Sequence, residues 1–340
     1  MEQVLISDVS EILIGRGLPV PILPAGQSRS RVAVLAQPGS LSIAQGLVGS
    51  LLAEGTQADL HLVPDGEVAK TLQVAGEAYQ WLADLGIGRH DTIVGVGGGA
   101  VTDFAGFIAA TWLRGVAAVY LPTTLLGAVD AAIGGKTGLN LSGKNLIGVF
   151  RHPSRVIIDL DELDRLPDHL LREGYAEAIK AGFIADPALI DLFDADIIDL
   201  EQVVVRAVRV KAGVVESDFY ESGRRGILNY GHTIGHGIEV AAGISHGEAV
   251  SIGMIAAGAI SEDRFGFNGM ARQRRLLESL GLPVSSPSVD PEEVRHLIGF
   301  DKKRDAGGLR MALLEDFGRP RLEYVSNDEL SVGLAAVGLA

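Results

Sequence analysis

The chain has 340 residues, 47% of them hydrophobic and 21% charged, and a net charge of -14. This is globular composition with room for two domains; it excludes a disordered chain, a broad basic nucleic-acid surface and electrostatic docking on an anionic membrane. With no cysteine, disulfides and thiolate metal sites are excluded, so any transition metal would have to be held by histidine and carboxylate.

The first nine residues carry acids and no basic segment, so no signal peptide is expected. The longest uncharged run, 32–53, is broken by Pro38, glutamines, serines and glycines, and reads as strand, turn and helix, not as a membrane span. The expectation is a soluble cytoplasmic protein. From there the chain alternates. Residues 31–36 read as a buried strand and 41–54 as an amphipathic helix. A second strand and helix follow at 58–63 and 68–85, a third strand at 91–96 with a helix after its glycines, and a fourth strand at 117–121. Short apolar strands separated by helices indicate βαβ units and a parallel sheet. The segment 133–149, rich in Gly, Lys and Asn, reads as a loop or small hairpin, and 155–160 as a further strand. After 161 the pattern becomes helical, at 170–185, 200–216, 233–242, 247–265 and 269–280, with almost no strand signal and a packed terminal helix after 330. The expected fold is a Rossmann-like α/β nucleotide-binding domain with a parallel sheet (1–160), followed by a mostly α-helical domain (161–340).

Gly95-Val96-Gly97-Gly98-Gly99-Ala100 ends a strand and opens a helix with the spacing G-x-G-x-x-A, which lets backbone approach a pyrophosphate at a helix N-terminus. The acid that usually meets a ribose about twenty residues later has no counterpart in Val119-Tyr120-Leu121-Pro122. A tight strand-to-helix turn without a ligand would use the same glycines, and Asp103 would serve there as N-terminal charge compensation. Pro122-Thr123-Thr124 closes the next strand, where open α/β sheets bind ligands and where threonines also cap helices. Asp130 to Lys136 and Gly143-Lys144-Asn145 add two lysines and an amide on a glycine-rich loop. With Arg114 they form a cationic set in an acidic chain, suited to an anion such as phosphate.

In the second half, Glu177 and Lys180 lie three apart on one helical face. A surface pair of that kind contributes about 0.3 kcal/mol, but Ala176, Ala178, Ile179 and Ala181 make the surroundings apolar, where a charge needs a partner or a metal. His232, His236 and His246 are three of the eight histidines and fall within fifteen residues. His232 and His236, four apart, stack on one face, yet Thr233 rules out an H-E-x-x-H motif. With Glu177 the histidines make a His/His/Glu set with an open fourth position, the pattern of a catalytic metal. Spacing alone does not say which two bind. Lys211, Arg225 and the cluster Asp301-Lys302-Lys303 are further charges, each of which would otherwise be solvated.

In combination these motifs resemble the 3-dehydroquinate synthases of the sugar-phosphate cyclase family. The resemblance runs from about Pro64 to Lys303 and rests on Gly-Gly-Gly-Ala-Val-Thr-Asp at 97–103, Trp-Leu-Arg-Gly at 112–115, Pro-Thr-Thr-Leu-Leu at 122–126, Gly-Gly-Lys-Thr-Gly at 134–138, Gly-Lys-Asn-Leu-Ile-Gly at 143–148, Ala-Glu-Ala-Ile-Lys at 176–180, Leu-Asn-Tyr-Gly-His-Thr at 228–233, His-Gly-Glu at 246–248 and Asp-Lys-Lys at 301–303. It implies an NAD-binding domain, a helical domain, a site between them, a divalent zinc or cobalt ion and a homodimer. Glu177, His232 and His246 become the metal ligands. His236 becomes a non-ligand that touches phosphate or relays protons, alongside Lys136, Asn145 and Lys302 or Lys303. Arg114 would join them, from the same chain or a neighbouring subunit. Lys211, Arg225 and Asn229 would face a substrate carboxylate, and Asp130 and Lys180 the ring hydroxyls. Glu67, Lys70, the turn Gly97-Gly98-Gly99, Asp103, Thr123, Thr124 and Lys144 would meet NAD. The implied reaction turns a phosphorylated sugar acid, 3-deoxy-D-arabino-heptulosonate 7-phosphate, into 3-dehydroquinate and phosphate through transient oxidation, elimination, re-reduction and aldol closure.

The sequence departs from the family pattern at Gln37, where an acidic ribose contact is common, at Gly226, and in 161–165, which lacks a threonine. Two rivals share the features. A sister cyclase would take an amino analogue, or a sedoheptulose phosphate with no carboxylate; Lys211 and Arg225 together favour a carboxylate. A metal-dependent alcohol dehydrogenase of the glycerol dehydrogenase type would need no phosphate set such as Lys136, Lys144-Asn145 and Lys302-Lys303.

Overall fold

The run Val32 to Ala36 is fully buried, as a strand covered on both faces must be, and the first half of the chain is assembled around it. In the computed structural model, which describes residues 1–17, 31–302 and 308–339 with backbone alone at 300–302, the chain divides into two units, Met1–Leu166 and Pro167–Ala340.

The first unit contains β1 (Glu2–Ile6), β2 (Ser10–Gly15), β3 (Val32–Ala36), α1 (Leu41–Ala53), β4 (Ala58–Leu62), α2 (Leu72–Leu85), β5 (Thr92–Gly97), α3 (Gly99–Thr111), β6 (Ala117–Pro122), the hairpin of β7 (Lys136–Leu139) and β8 (Ile147–Phe150), then β9 (Arg155–Asp159) and α4 (Leu160–Leu163). Seven strands form one sheet in the order β1-β2-β9-β6-β5-β3-β4. Every neighbouring pair is parallel except β1 with β2. The expected five strands are therefore present with two more added, β2 parallel to β9 and β1 antiparallel at the edge; β1 is mostly exposed, so it leaves no two-sided apolar run to read. On one face Leu47 and Leu51 of α1 pack against Val34, Val94, Val96, Leu121 and Ile157. α2 begins where Thr71 Oγ1 accepts from the Val74 amide and ends at Gly86, whose φ of 69° suits a left-handed cap. The C-terminal ends of β5 and β6 lie side by side, with Gly97 opposite Pro122 and the Thr123 amide donating to the Gly97 carbonyl at 3.0 Å.

The second unit contains α5 (Asp168–Ala185), α6 (Pro187–Phe193), α7 (Leu200–Ser217), a 3-10 turn at Arg224–Asn229, α8 (His232–Ala242), α9 (His246–Phe265), α10 (Met270–Ser279), α11 (Pro291–Lys302), the antiparallel hairpin of β10 (Leu309–Asp316) and β11 (Arg319–Val325), and α12 (Asn327–Ala336). The hairpin corrects the expectation of an almost strand-free second half. β10 is buried at nearly every position, and a short apolar run shows neither the helical nor the strand period. α9 is apolar around most of its circumference and packs against α5, α8, α12 and β10, as a central helix must. Its approach to α8 is made backbone to backbone. A Cβ on Gly253 would lie 1.9 Å from the Gly231 carbonyl oxygen, and one on Gly235 would lie 2.7 Å from that of Ala249. No helix among the described residues is long and apolar enough to cross a membrane.

Candidate active site

The glycine seam sets Gly231 and Gly235, at the start of α8, against Ala249 to Met254 of α9, and α5 passes beside α9. Glu177 therefore projects from the apolar face of α5 toward His232, the first residue of α8, and His246, the first of α9. Glu177 Oε1 lies 3.3 Å from His232 Nε2 and 3.5 Å from His246 Nε2. It is buried and accepts no hydrogen bond. The three donor atoms lie within 4.8 Å of one another, close enough for one cation.

The opposite atom of each donor group is held. Lys180 Nζ donates to Glu177 Oε2, and both residues are only 2% exposed. His232 Nδ1 lies 3.3 Å from the Tyr230 carbonyl and His246 Nδ1 lies 3.1 Å from Glu239 Oε2. Burial on its own would raise the Glu177 carboxyl, but Lys180, His232 and His246 together hold it well below the usual carboxylate range. Burial, with Lys180 nearby, pushes His232 down to about 3. Burial also opposes charge on His246, but the carboxylates of Glu177 and Glu239 outweigh it and push that ring up to about 10. A cation that took the place of the His246 proton would meet an ionised carboxylate and two imidazole nitrogens, a donor set suited to zinc or cobalt.

His236, one turn along α8, is exposed; its ring centre lies 5.2 Å from that of His232 and 5.8 Å from that of His246. It stands outside the set around Glu177, although with Glu239 and His246 it forms a second group of donors within 4.8 Å. His232, His236 and Asn229 line a groove of about 300 Å3 closed by Arg310 and Leu322 of the β10–β11 hairpin. Asn229 Nδ2 donates to Glu221 Oε1 at 3.1 Å. Arg225 is buried on the turn that packs beside α7, where Lys211 is also buried. That turn is shaped by Asp218, which accepts from the backbone amides of Arg225, Gly223 and Ser222. Those bonds, that of Arg225 first, pull its carboxyl down to about 2.

The remaining expected residues lie in the first unit, and several converge. Lys70 Nζ is 2.7 Å from Asp103 Oδ2, 2.5 Å from Asn145 Oδ1 and 3.7 Å from Glu67 Oε2. Asn140 completes the cluster by donating to Glu67 and accepting from the Asn145 amide. Burial raises Asp103 to about 6 despite the lysine. Asp103, Asn145 and Lys136 line one recess of about 410 Å3. No side chain caps α3, which opens at Gly99. The glycines before it also answer to packing, since a Cβ on Gly97 would lie 2.7 Å from Val101 Cγ2 and one on Gly99 2.9 Å from Ala131 Cβ. Thr124 Oγ1 accepts from the Gly127 amide, Thr123 lines a neighbouring pocket, and Asp130 sits in the turn Gly127–Ala131. Gln37, at the end of β3, donates its amide to the carbonyls of Pro64 and Gly66. Lys144 is exposed on the hairpin loop. Arg114 is exposed just past the opposite end of α3 from the glycine turn, in a left-handed stretch with φ of 49° at Leu113 and 66° at Arg114. Lys303 lies outside the described residues, as does the side chain of Lys302.

Sequence reasoning passed over Glu239, Tyr230 and Glu173. Glu239 had a signal, since it falls seven residues after His232 and three after His236 on the same helical face. Glu173, one turn before Glu177, accepts from the Gly247 amide at 2.7 Å and from Ser245 Oγ, which ties α5 to the start of α9.

Two family models match the chain, described as 3-dehydroquinate synthase N-terminal over residues 60–173 and 3-dehydroquinate synthase C-terminal over 174–304. The 3-dehydroquinate synthase of Corynebacterium jeikeium (strain K411) is 43% identical over 347 residues, covering 96% of this chain and 93% of the relative. Among solved structures, 2-epi-5-epi-valiolone synthase from Streptomyces hygroscopicus subsp. jinggangensis 5008, with NAD+ and Zn2+ bound, superposes with a TM-score of 0.87 at 26% identity over 96% of each chain. A 2-deoxy-scyllo-inosose synthase complexed with carbaglucose-6-phosphate, NAD+ and Co2+ superposes with a TM-score of 0.85 at 27% identity over 98% of each.

Proposed function

The chain belongs to the 3-dehydroquinate synthase family, and from that premise we propose that it converts 3-deoxy-D-arabino-heptulosonate 7-phosphate to 3-dehydroquinate and phosphate, using NAD and one zinc or cobalt ion. The observation that carries this reading is Glu177 Oε1, a buried carboxylate oxygen that accepts no hydrogen bond and faces the Nε2 atoms of His232 and His246. Lys180 answers only Oε2, which leaves Oε1 as a buried acceptor open to a further cation.

Glu177, His232 and His246 would hold the metal. When bound, the metal would polarise a substrate hydroxyl, and NAD would accept and later return a hydride, so that no net oxidation remains. Lys180 neutralises the second oxygen of Glu177 and, with Asp130, would meet ring hydroxyls. Lys211 and Arg225, both buried in one region, would meet a substrate carboxylate through charge-assisted hydrogen bonds; this favours a heptulosonate over a carboxylate-free sugar phosphate. Asn229 would share that contact. His236, exposed beside the groove, would hold the phosphate and pass a proton at its ring nitrogen, with Lys136, Asn145, Lys302 and Lys303 as further phosphate partners. Glu67, Lys70, the turn Gly97-Gly98-Gly99, Asp103, Thr123, Thr124 and Lys144 would hold NAD, which makes residues 1–160 the cofactor domain and 161–340 the metal and substrate domain. The enzyme would act in the cytoplasm as a homodimer. Arg114, exposed away from the Lys70 cluster, would then serve the phosphate of the neighbouring subunit.

The test is direct. Pure protein with heptulosonate 7-phosphate, trace NAD and zinc or cobalt should release phosphate and cyclic product in equal amounts without accumulating NADH. Stoichiometric NADH would instead identify a dehydrogenase, and turnover of sedoheptulose 7-phosphate alone would identify a sister cyclase.

A further inference from the structure

The three donors that converge on one point are held from behind in three different ways: Lys180 on Glu177 Oε2, a backbone carbonyl on His232 Nδ1, and the Glu239 carboxylate on His246 Nδ1. His246 has most need of its hold. Its side chain is 29% exposed against 13% for His232 and 1% for Glu177, so packing restrains its ring least. The backbone beneath it is fixed. The Gly247 amide and Ser245 Oγ both bond Glu173, and a Cβ on Gly247 would strike the Glu173 backbone at 2.8 Å. What remains is rotation of the ring and the choice of which nitrogen carries the proton. Glu239 reaches across from α8, its Oε2 lying 3.1 Å from His246 Nδ1.

We propose that Glu239 is a positioning residue for the metal: by accepting the Nδ1 proton of His246 it turns the Nε2 lone pair toward Glu177 Oε1. The inference rests on the reading that Glu177, His232 and His246 are the ligands. It also chooses between the two donor groups that share His246. With Nδ1 protonated and bonded to Glu239, the group of His236, Glu239 and His246 cannot take a second ion, so each chain binds one.

The test measures zinc affinity of the full-length protein by competition with a chromophoric chelator, together with the visible absorption of the Co2+ form. Glu239→Ala should weaken zinc binding about 10–100-fold, the range typical for loss of such a partner, and alter the Co2+ spectrum. Glu239→Gln, whose amide oxygen can still accept from Nδ1, should recover most of the affinity. Glu239→Asp keeps the charge but loses a methylene of reach, and should bind as weakly as the alanine variant. The melting temperatures of the metal-free variants show whether the fold is retained; where alanine is not tolerated, the Gln and Asp variants decide. Wild-type affinity in Glu239→Ala, or in Glu239→Asp with a weak Glu239→Gln, would overturn the proposal, as would two zinc ions per wild-type chain. His246→Ala separates the failures. If it still binds zinc, the ligand reading falls; if it loses zinc while Glu239→Ala binds normally, only the role of Glu239 falls.

Discussion

Each unit buries a cluster of charges, and the two clusters are finished differently. Around Lys70 the acceptors of Asp103, Asn145 and Glu67 surround an ammonium group supplied by the chain. Around Glu177 the one lysine is taken by Oε2, and Oε1 faces two imidazole nitrogens with no donor of its own. Each cluster contains a lysine; in the first it meets all three acceptors, and in the second it leaves Oε1 open, as the proposed metal would need. Buried charge therefore does not by itself mark a metal site. What sets the second cluster apart is an unmatched carboxylate oxygen that faces two imidazole nitrogens.

The largest effect expected from this contrast is at the open cluster. Glu177→Gln should lose zinc and lower turnover on the order of 10^3-fold or more, measured as phosphate release and bound metal. Chelation of the wild type should do the same, reversibly on adding Zn2+ or Co2+, while thermal unfolding of the first unit stays unchanged. If Glu177→Gln keeps its metal, the two clusters do not differ as described.

Next is the closed cluster. Lys70→Met leaves Asp103 without its counter-charge, and breaking a buried pair costs about 3–5 kcal/mol, read by urea denaturation. The cost should depend on pH. Asp103 in the folded chain titrates at about 6, above its ordinary 3.8. A raised acid contributes stability below about 3.8 and loses it as pH rises through about 6. In Asp103→Asn that slope should disappear, and Lys70→Met should cost more at pH 8 than at pH 5, where Asp103 holds a proton. A pH-independent penalty would mean that Lys70 acts by packing alone.

The glycines give a smaller, paired comparison. Gly253→Ala puts a methyl group 1.9 Å from a carbonyl oxygen; overpacking of that kind costs about 1–3 kcal/mol and should weaken zinc binding by prising α8 from α9. Gly213→Ala on α7 meets nothing within 4 Å and should instead stabilise by about 0.5–1 kcal/mol. Equal effects at the two positions would remove the seam from the account.

Much of this is legible in the sequence. The alternation of short apolar runs with helical stretches marked β3, β4, β5, β6 and β9. The apolar neighbours of Glu177 marked it as a buried acid, and it is 2% exposed. β2 escaped although Ile12-Leu13-Ile14 is a buried apolar run; β1 and β10 escaped for opposite reasons. β1 shows little alternation because most of it faces solvent, and β10 shows none because most of it does not. The four-residue spacing of His232 and His236 did not say which two histidines face Glu177. The helix does stack those rings, but the seam with α9 decides which nitrogens meet the carboxylate. Such pairings across elements follow from tertiary packing and not from sequence spacing.

The seam has a consequence for how such a protein can change. Where side chains separate two helices, drift in their size alters the gap by fractions of an ångström. Here main chain rests on main chain, so the span from His232 to His246 has no adjustable spacer. The wall of the groove beside His232 and His236, by contrast, includes Arg310 and Leu322 of a separate hairpin. The groove wall can thus be rebuilt while the span between the two histidines stays in gauge.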